Sequence, residues 1–82
     1  MTTSPTFKLT ISKVNEFLFT GEANSVTLPG TEGELTLLAH HEPLITLLKK
    51  GTITVREGGD VKEFQIQKGL CETSHGQVTI LV

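Results

Sequence analysis

The chain has 82 residues, enough for one domain spanning 1–82, near the lower limit of what folds alone and with a few kcal/mol of stability. Seven Lys and Arg against nine Asp and Glu leave a formal charge of −2, which argues against binding through nucleic-acid phosphates and gives no reason to expect attraction to an anionic lipid surface. A single cysteine excludes an intrachain disulfide and a Cys-rich zinc site, and fits a reducing compartment.

The N-terminal residues 1–6 are polar and lack a signal peptide's apolar core, and no apolar run reaches the roughly 20 residues of a membrane helix. Taken alone, these features read as soluble and cytoplasmic. From there the dominant period is two. Phe7, Leu9 and Ile11 alternate with Lys8, Thr10 and Ser12, predicting a strand with one wet face. Phe17 and Phe19 alternate with Leu18 and Thr20, and Gly21 predicts a bulge or bend in that strand. Val26 and Leu28 alternate with Ser25 and Thr27 until Pro29-Gly30 closes the strand. An acidic, glycine-bracketed loop follows, Gly30-Thr31-Glu32-Gly33-Glu34, and then Leu35 and Leu37. Leu44 to Leu48 is almost wholly apolar, and its length predicts a short buried strand.

Further on, Ile53 and Val55 alternate with Thr52, Thr54 and Arg56. Glu57-Gly58-Gly59-Asp60 supplies a tight turn, and Phe64 and Ile66 carry the return, so residues 52–67 form a hairpin. Lys68-Gly69 is a break. Leu70 to Thr73 and Gln77 to Val82 flank Ser74-His75-Gly76 as a second hairpin. About eight to ten short strands with frequent turns and no sustained helical period predict an all-β fold, a small β-sandwich or flattened barrel.

No catalytic constellation emerges. His40 and His41 point to opposite faces if extended, and His40 with Glu42 lacks a third ligand, so no metal site is predicted. Glu32 and Glu34 form no acid–base pair, because a polar turn does not push two carboxylate pKa values apart. Cys71, between Leu70 and Glu72, reads as a small half-buried strand residue. No serine lies in a nucleophile-elbow context and no glycine pattern opens a helix, so neither cofactor nor small-molecule ligand is expected. Lys49-Lys50-Gly51 raises one rival, a lipoyl- or biotinyl-type carrier or a free-standing adaptor domain. A carrier lysine belongs at a hairpin tip, and the best tip here, Gly58-Gly59, has none.

The segment Gly30-Thr31-Glu32-Gly33-Glu34-Leu35, with Leu37-Leu38 and His41-Glu42-Pro43-Leu44, resembles the epsilon subunit of the rotary F-type ATP synthase. That family's N-terminal β-sandwich carries a run like G-x-E-G-E-L-G-I-L-P-G-H-A-P-L-L-T. Phe19-Thr20-Gly21 is similar to its F-S/T-G, Lys50-Gly51 falls at its K-x-G, and Gln77-Val78-Thr79-Ile80-Leu81 is similar to its final strand. Ala39-His40 replaces the family's Pro-Gly, Glu42 its Ala, Thr36 a glycine and Lys68 the first of a glycine pair. Loss of the glycine at His40 restricts φ there.

The resemblance implies a non-catalytic central-stalk subunit that couples rotation of a proton-translocating ring to ATP synthesis. It would sit peripherally on the cytoplasmic side of the inner or plasma membrane, without inserting into it. Its implied partners are the gamma subunit and the polar loops of the c ring, which carry Arg-Gln-Pro; nucleic acid is not among them. By the same resemblance Glu32, Gly33 and Glu34 meet the ring, while Ser12 (or its neighbour Lys13), His41, Pro43 and Leu44 lie toward gamma. The family's inhibitory C-terminal helical hairpin has no counterpart before Val82, so a short form without it is expected.

Overall fold

Alternating apolar and polar residues make strands that must each cover one face, and the architecture follows from how those faces meet. The computed structural model describes residues 5–82. These form nine strands: β1 (Phe7–Lys13), β2 (Glu16–Ala23), β3 (Ser25–Gly30), β4 (Gly33–Leu38), β5 (Leu44–Leu48), β6 (Gly51–Glu57), β7 (Asp60–Ile66), β8 (Gly69–Ser74) and β9 (Gln77–Leu81). The fold is all-β, as the patterning predicts.

Hydrogen bonding runs continuously in the order β2-β1-β9-β8-β5-β3-β6-β7, with β4 on the other side of β3. The link between β5 and β3 is a single residue pair, Gly30 with Leu48, so the sheet folds over there into two layers. One layer is β2-β1-β9-β8-β5 and the other β4-β3-β6-β7. Between them lies one core. Leu9, Ile11, Cys71, Val78 and Ile80 come from the first layer, and Val26, Leu28, Leu37, Ile53 and Val55 from the second. Among the described residues β2 and β7, at the ends of the path, share no backbone pairing. Side chains join them: Phe19 and Phe64 meet edge to face at 6.4 Å, and Lys62 Nζ stands 5.3 Å from the Phe19 ring.

Two-residue turns close the hairpins. Gly58-Gly59 joins Glu57 to its partner Asp60, with φ of 61° at Gly58, and His75-Gly76 joins Ser74 to Gln77 with both φ positive. Both hairpins stand where their glycines predict. Other expectations are corrected. Gly21 is no bulge: it pairs in line with Leu9, and the Phe19 ring and the Glu57 carboxylate stand at ordinary contact distance from where a Cβ would lie. The bulge falls at Leu18, because Ile11 pairs with Phe19 while Ser12 pairs with Phe17. Cross-strand partners share a face, so the extra residue sends Phe19 inward beside Ile11 and Phe17 outward beside Ser12. Pro29-Gly30 does close β3, as its last dipeptide, and the turn that follows is Thr31-Glu32.

Leu44 to Leu48 is a strand but not a buried one. Only its inner face is covered, so Leu48 is buried while Ile45 is 70 % and Leu47 61 % exposed. Cys71 is fully rather than half buried, since β8 lies inside the first layer between β5 and β9.

Candidate functional site

The acidic segment stands on a pinned hairpin end. Gly30 pairs with Gly33 and Pro29 with Glu34, leaving Thr31-Glu32 as the turn. A Cβ on Gly30 would lie 2.7 Å from the Gly33 carbonyl oxygen and 2.8 Å from a Leu35 methyl, so only glycine allows this approach. Gly33 takes φ of 133°, a backbone conformation that favours glycine. The Thr31 amide donates to the Leu47 carbonyl at 2.9 Å and the Lys49 amide to the Pro29 carbonyl at 2.9 Å, tying the hairpin end to the end of β5. Glu32 and Glu34 are exposed on this tied backbone. Glu34 is the second residue of β4 rather than part of the loop, because the glycine pair closes the turn before it.

The connection from β4 to β5 is held differently. His40 adopts φ of 66°, in the left-handed region, at the position where the resemblance has glycine. The His41 Nδ1–H donates to the Leu38 carbonyl at 2.9 Å, and the ring meets Phe7 edge to face at 5.5 Å. The other ring nitrogen, Nε2, is buried without a hydrogen-bond partner. Buried Thr73 finishes the clamp: its Oγ1 accepts from the Leu44 amide at 2.8 Å and donates to the Glu42 carbonyl at 2.7 Å. Pro43 is exposed and Leu44 half-buried.

Strand registers sort these residues into two ends. Ser12 pairs with Leu81 and its carbonyl accepts from the Val82 amide at 2.9 Å, which places it at the same end as the Thr31-Glu32 turn. Phe7, in contact with His41, begins the same strand five residues earlier, about 17 Å away at the usual strand rise. Glu32, Gly33 and Glu34 are therefore together, with Ser12 at their end. His41, Pro43 and Leu44 form a separate group at the other end.

A further surface escaped sequence reasoning. On the outer face of the first layer, Leu47 pairs with Leu70, Leu70 with Leu81, Leu81 with Ser12, and Ser12 with Phe17. Phe17 is 74 % exposed, Leu81 51 % and Leu70 half-buried, and with Leu47 they make a row across five strands. A cleft of about 400 Å³ opens beside it between Thr31, Leu47, Lys68, Leu70, Leu81 and Val82. The available signal was Leu44–Leu48 itself, since an all-apolar strand covered on one face must expose the other.

Catalytic chemistry finds no footing in these groups. Burial pushes the Cys71 thiol up to about 11, the reverse of an activated nucleophile. Among the described residues no three His, Cys, Asp or Glu side chains come together as metal ligands. Lys49-Lys50 lies where the chain crosses between layers, not at a hairpin tip, which removes the geometric basis of the carrier reading.

Comparison with known proteins gives this surface its context. Residues 6–82 match the family described as the β-sandwich domain of the ATP synthase delta/epsilon chain. The chain is 39 % identical over 75 residues to the ATP synthase epsilon chain 2 of Nitrobacter hamburgensis, covering 92 % of this chain and 55 % of that one. It is 42 % identical over 64 residues to the ATP synthase epsilon chain of Caulobacter vibrioides, covering 78 % and 74 %. With the epsilon chain of Sulfurimonas denitrificans it shares 45 % over 76 residues, covering 92 % and 58 %. The chain thus spans little more than half the length of two of these relatives. Among solved structures it is similar to a chain of the Euglena gracilis mitochondrial ATP synthase (OSCP/F1/c-ring), with TM-score 0.88 and 28 % identity over 94 % of this chain and 50 % of that one. A chain of the Tetrahymena thermophila central stalk and c ring shares the fold, at TM-score 0.80 and 16 % identity, over 99 % of this chain and 66 % of that one.

Proposed function

Because the chain belongs to the family of ATP synthase delta/epsilon β-sandwich domains, we propose that it is a non-catalytic epsilon-type subunit of the central stalk, turning with gamma and the c ring. The observation that carries this is the family match over 6–82 on a two-layer sandwich whose exposed carboxylates stand on backbone that cannot swing freely. A stalk element must transmit displacement rather than bind a substrate. A shared core with tied hairpin ends suits that role, since interiors of this density transmit strain.

Glu32, Gly33 and Glu34 face the polar loops of the ring, and Ser12, His41, Pro43 and Leu44 face gamma. An exposed carboxylate–arginine pair contributes only about 0–1 kcal/mol. Glu34 therefore sets register on the ring more than affinity, and apolar packing on gamma supplies the hold. The subunit lies on the cytoplasmic side of the membrane as a peripheral part of the complex. No helix among the described residues is long and apolar enough to cross a bilayer.

Glu34→Lys, introduced into the assembled enzyme, tests the ring contact. Coupled proton pumping should fall while the isolated variant keeps the wild-type circular dichroism spectrum. Unchanged pumping would remove the acidic turn from the ring.

A further inference from the structure

We propose that a recess on the outer face of the β4-β3-β6-β7 layer, over Ser25 and between Leu38 and Arg56, is a binding site for a monocarboxylate carried on a short apolar body. It is independent of the stalk-subunit reading. It also lies at the end of the sandwich opposite the acidic turn, since Ser25 begins β3 and Gly30 ends it. The recess is a cavity of about 500 Å³, the size of ordinary small-ligand pockets.

Strand register makes the recess. Leu38, Ser25 and Arg56 stand side by side on β4, β3 and β6 and share the outer face, because partners across a pairing point the same way. Two long side chains thus flank a short one. Ser25, 8 % exposed, is the floor, and exposed Leu38 and Arg56 rise beside it. Ala39 and Pro5 add apolar surface. Asn24 fixes the end wall: its amide donates to the Arg56 carbonyl at 2.7 Å, its Nδ2 donates to the Pro5 carbonyl at 3.2 Å, and its Oδ1 accepts from the Gly58 amide at 2.7 Å. Walls already tied in place leave little ordering to be done when a ligand enters.

The charge in the recess is a single guanidinium without a counter-ion. Among the described residues the one ion pair is Lys62 with Glu57, and Glu57 and Glu63, the acids on β6 and β7 nearest Arg56, make none with it. Its Nη1 reaches the Thr27 hydroxyl at 3.5 Å, a long contact that leaves the fork open to a stronger acceptor. No lysine lines the cavity, so one positive charge meets the ligand, which matches a monoanion and not a phosphate dianion. The planar fork fits the paired oxygens of a carboxylate, and the Ser25 hydroxyl on the floor supplies one further donor. Leu38, Ala39 and Pro5 receive the apolar body. Ser25 and Arg56 come together only through the β3–β6 pairing, so no motif in the chain marks them.

The test is titration of the labelled 82-residue chain with sodium hexanoate, followed by amide shifts. Hexanoate should bind with Kd of about 1 mM or below. Shifts should concentrate at Ser25, Leu38, Ala39, Arg56 and Gly58. Hexanamide, which keeps the body and loses the charge, should bind about tenfold or more weakly, a comparison that needs no variant to fold. Arg56→Gln should lose about tenfold or more in hexanoate affinity with an unchanged circular dichroism spectrum, because the side chain is exposed. Lys50→Gln, at the other end, should stay within about twofold. A hexapeptide ending in leucine, with a free or an amidated C-terminus, separates the two sources of the carboxylate. Binding tighter than that of hexanoate and lost on amidation assigns the site to a chain end, and weaker binding assigns it to a free acid.

No binding by hexanoate at about 10 mM would overturn the proposal. So would equal affinity for hexanamide, full affinity in Arg56→Gln, or shifts centred away from the recess. Inorganic phosphate binding as tightly as hexanoate would overturn the monocarboxylate assignment. Each of these results leaves the stalk reading standing, since Glu34→Lys and proton pumping test that reading separately.

Discussion

His40→Gly is expected to raise the stability of the domain. His40 sits at φ of 66°, where an L-residue other than glycine incurs about 1–2 kcal/mol of steric strain. Histidine is among the residues tolerated there, so the lower half of that range applies. Glycine removes the strain but adds unfolded-chain entropy of about 0.5–1 kcal/mol. The His40 side chain is exposed, so little packing is lost. The net gain is about 0–1 kcal/mol, about 0.5 kcal/mol at mid-range. For a domain this size 0.5 kcal/mol raises Tm by about 2–4 °C. Calorimetry and urea titration at constant m-value measure it. Asn15→Gly is the control, since asparagine holds φ of 67° at little cost, so the entropy of glycine is uncompensated there and Tm should fall. A fall in Tm for His40→Gly larger than that for Asn15→Gly would refute the strain argument.

Gly30→Ala drives a methyl against the Gly33 carbonyl and should cost about 1–3 kcal/mol in urea titrations, with amide shifts from Thr31 to Glu34; a change within about 0.5 kcal/mol would contradict the close approach. Thr73→Val removes the hydroxyl that serves both Leu44 N–H and Glu42 C=O, and should cost about 1–3 kcal/mol with faster hydrogen exchange at Leu44. Cys71 makes stability depend on alkali. Its folded thiol titrates near about 11 against a usual 9.0, so the unfolded chain releases the proton first as pH rises. The stabilisation is full below pH 9 and lost progressively toward pH 11, by a few kcal/mol at most. Urea midpoints of wild type should fall over that window more steeply than those of Cys71→Ala.

What the sequence made legible was whatever is local. Gly58-Gly59 and His75-Gly76 announce their turns because few residues accept positive φ, and Phe7, Leu9 and Ile11 announce an inner face by alternation. The family run from Gly30 to Leu44 marked the candidate site, while the restriction expected on losing glycine at His40 did not keep that residue out of the left-handed region, where its φ is 66°. Illegible were features decided by neighbours distant in the chain. Which side of Leu44–Leu48 is covered depends on β8 and on the crossing at Gly30 and Leu48. The outward turn of Phe17 depends on a bulge that no glycine marks. His41 looks like a loop residue until Phe7 is brought beside it. The burial of Cys71 needs strands on both sides, and no local pattern names them.

The parallel pairing of β1 with β9 has a consequence for synthesis on the ribosome. Lys13 ends β1 and Gln77 begins β9, so 64 residues are added before the first strand meets its neighbour. At about 5–20 residues per second that delay is about 3–13 s. Throughout it β1 has only β2 as a backbone partner. The five-stranded layer is thus completed only when the last strand pairs with the first.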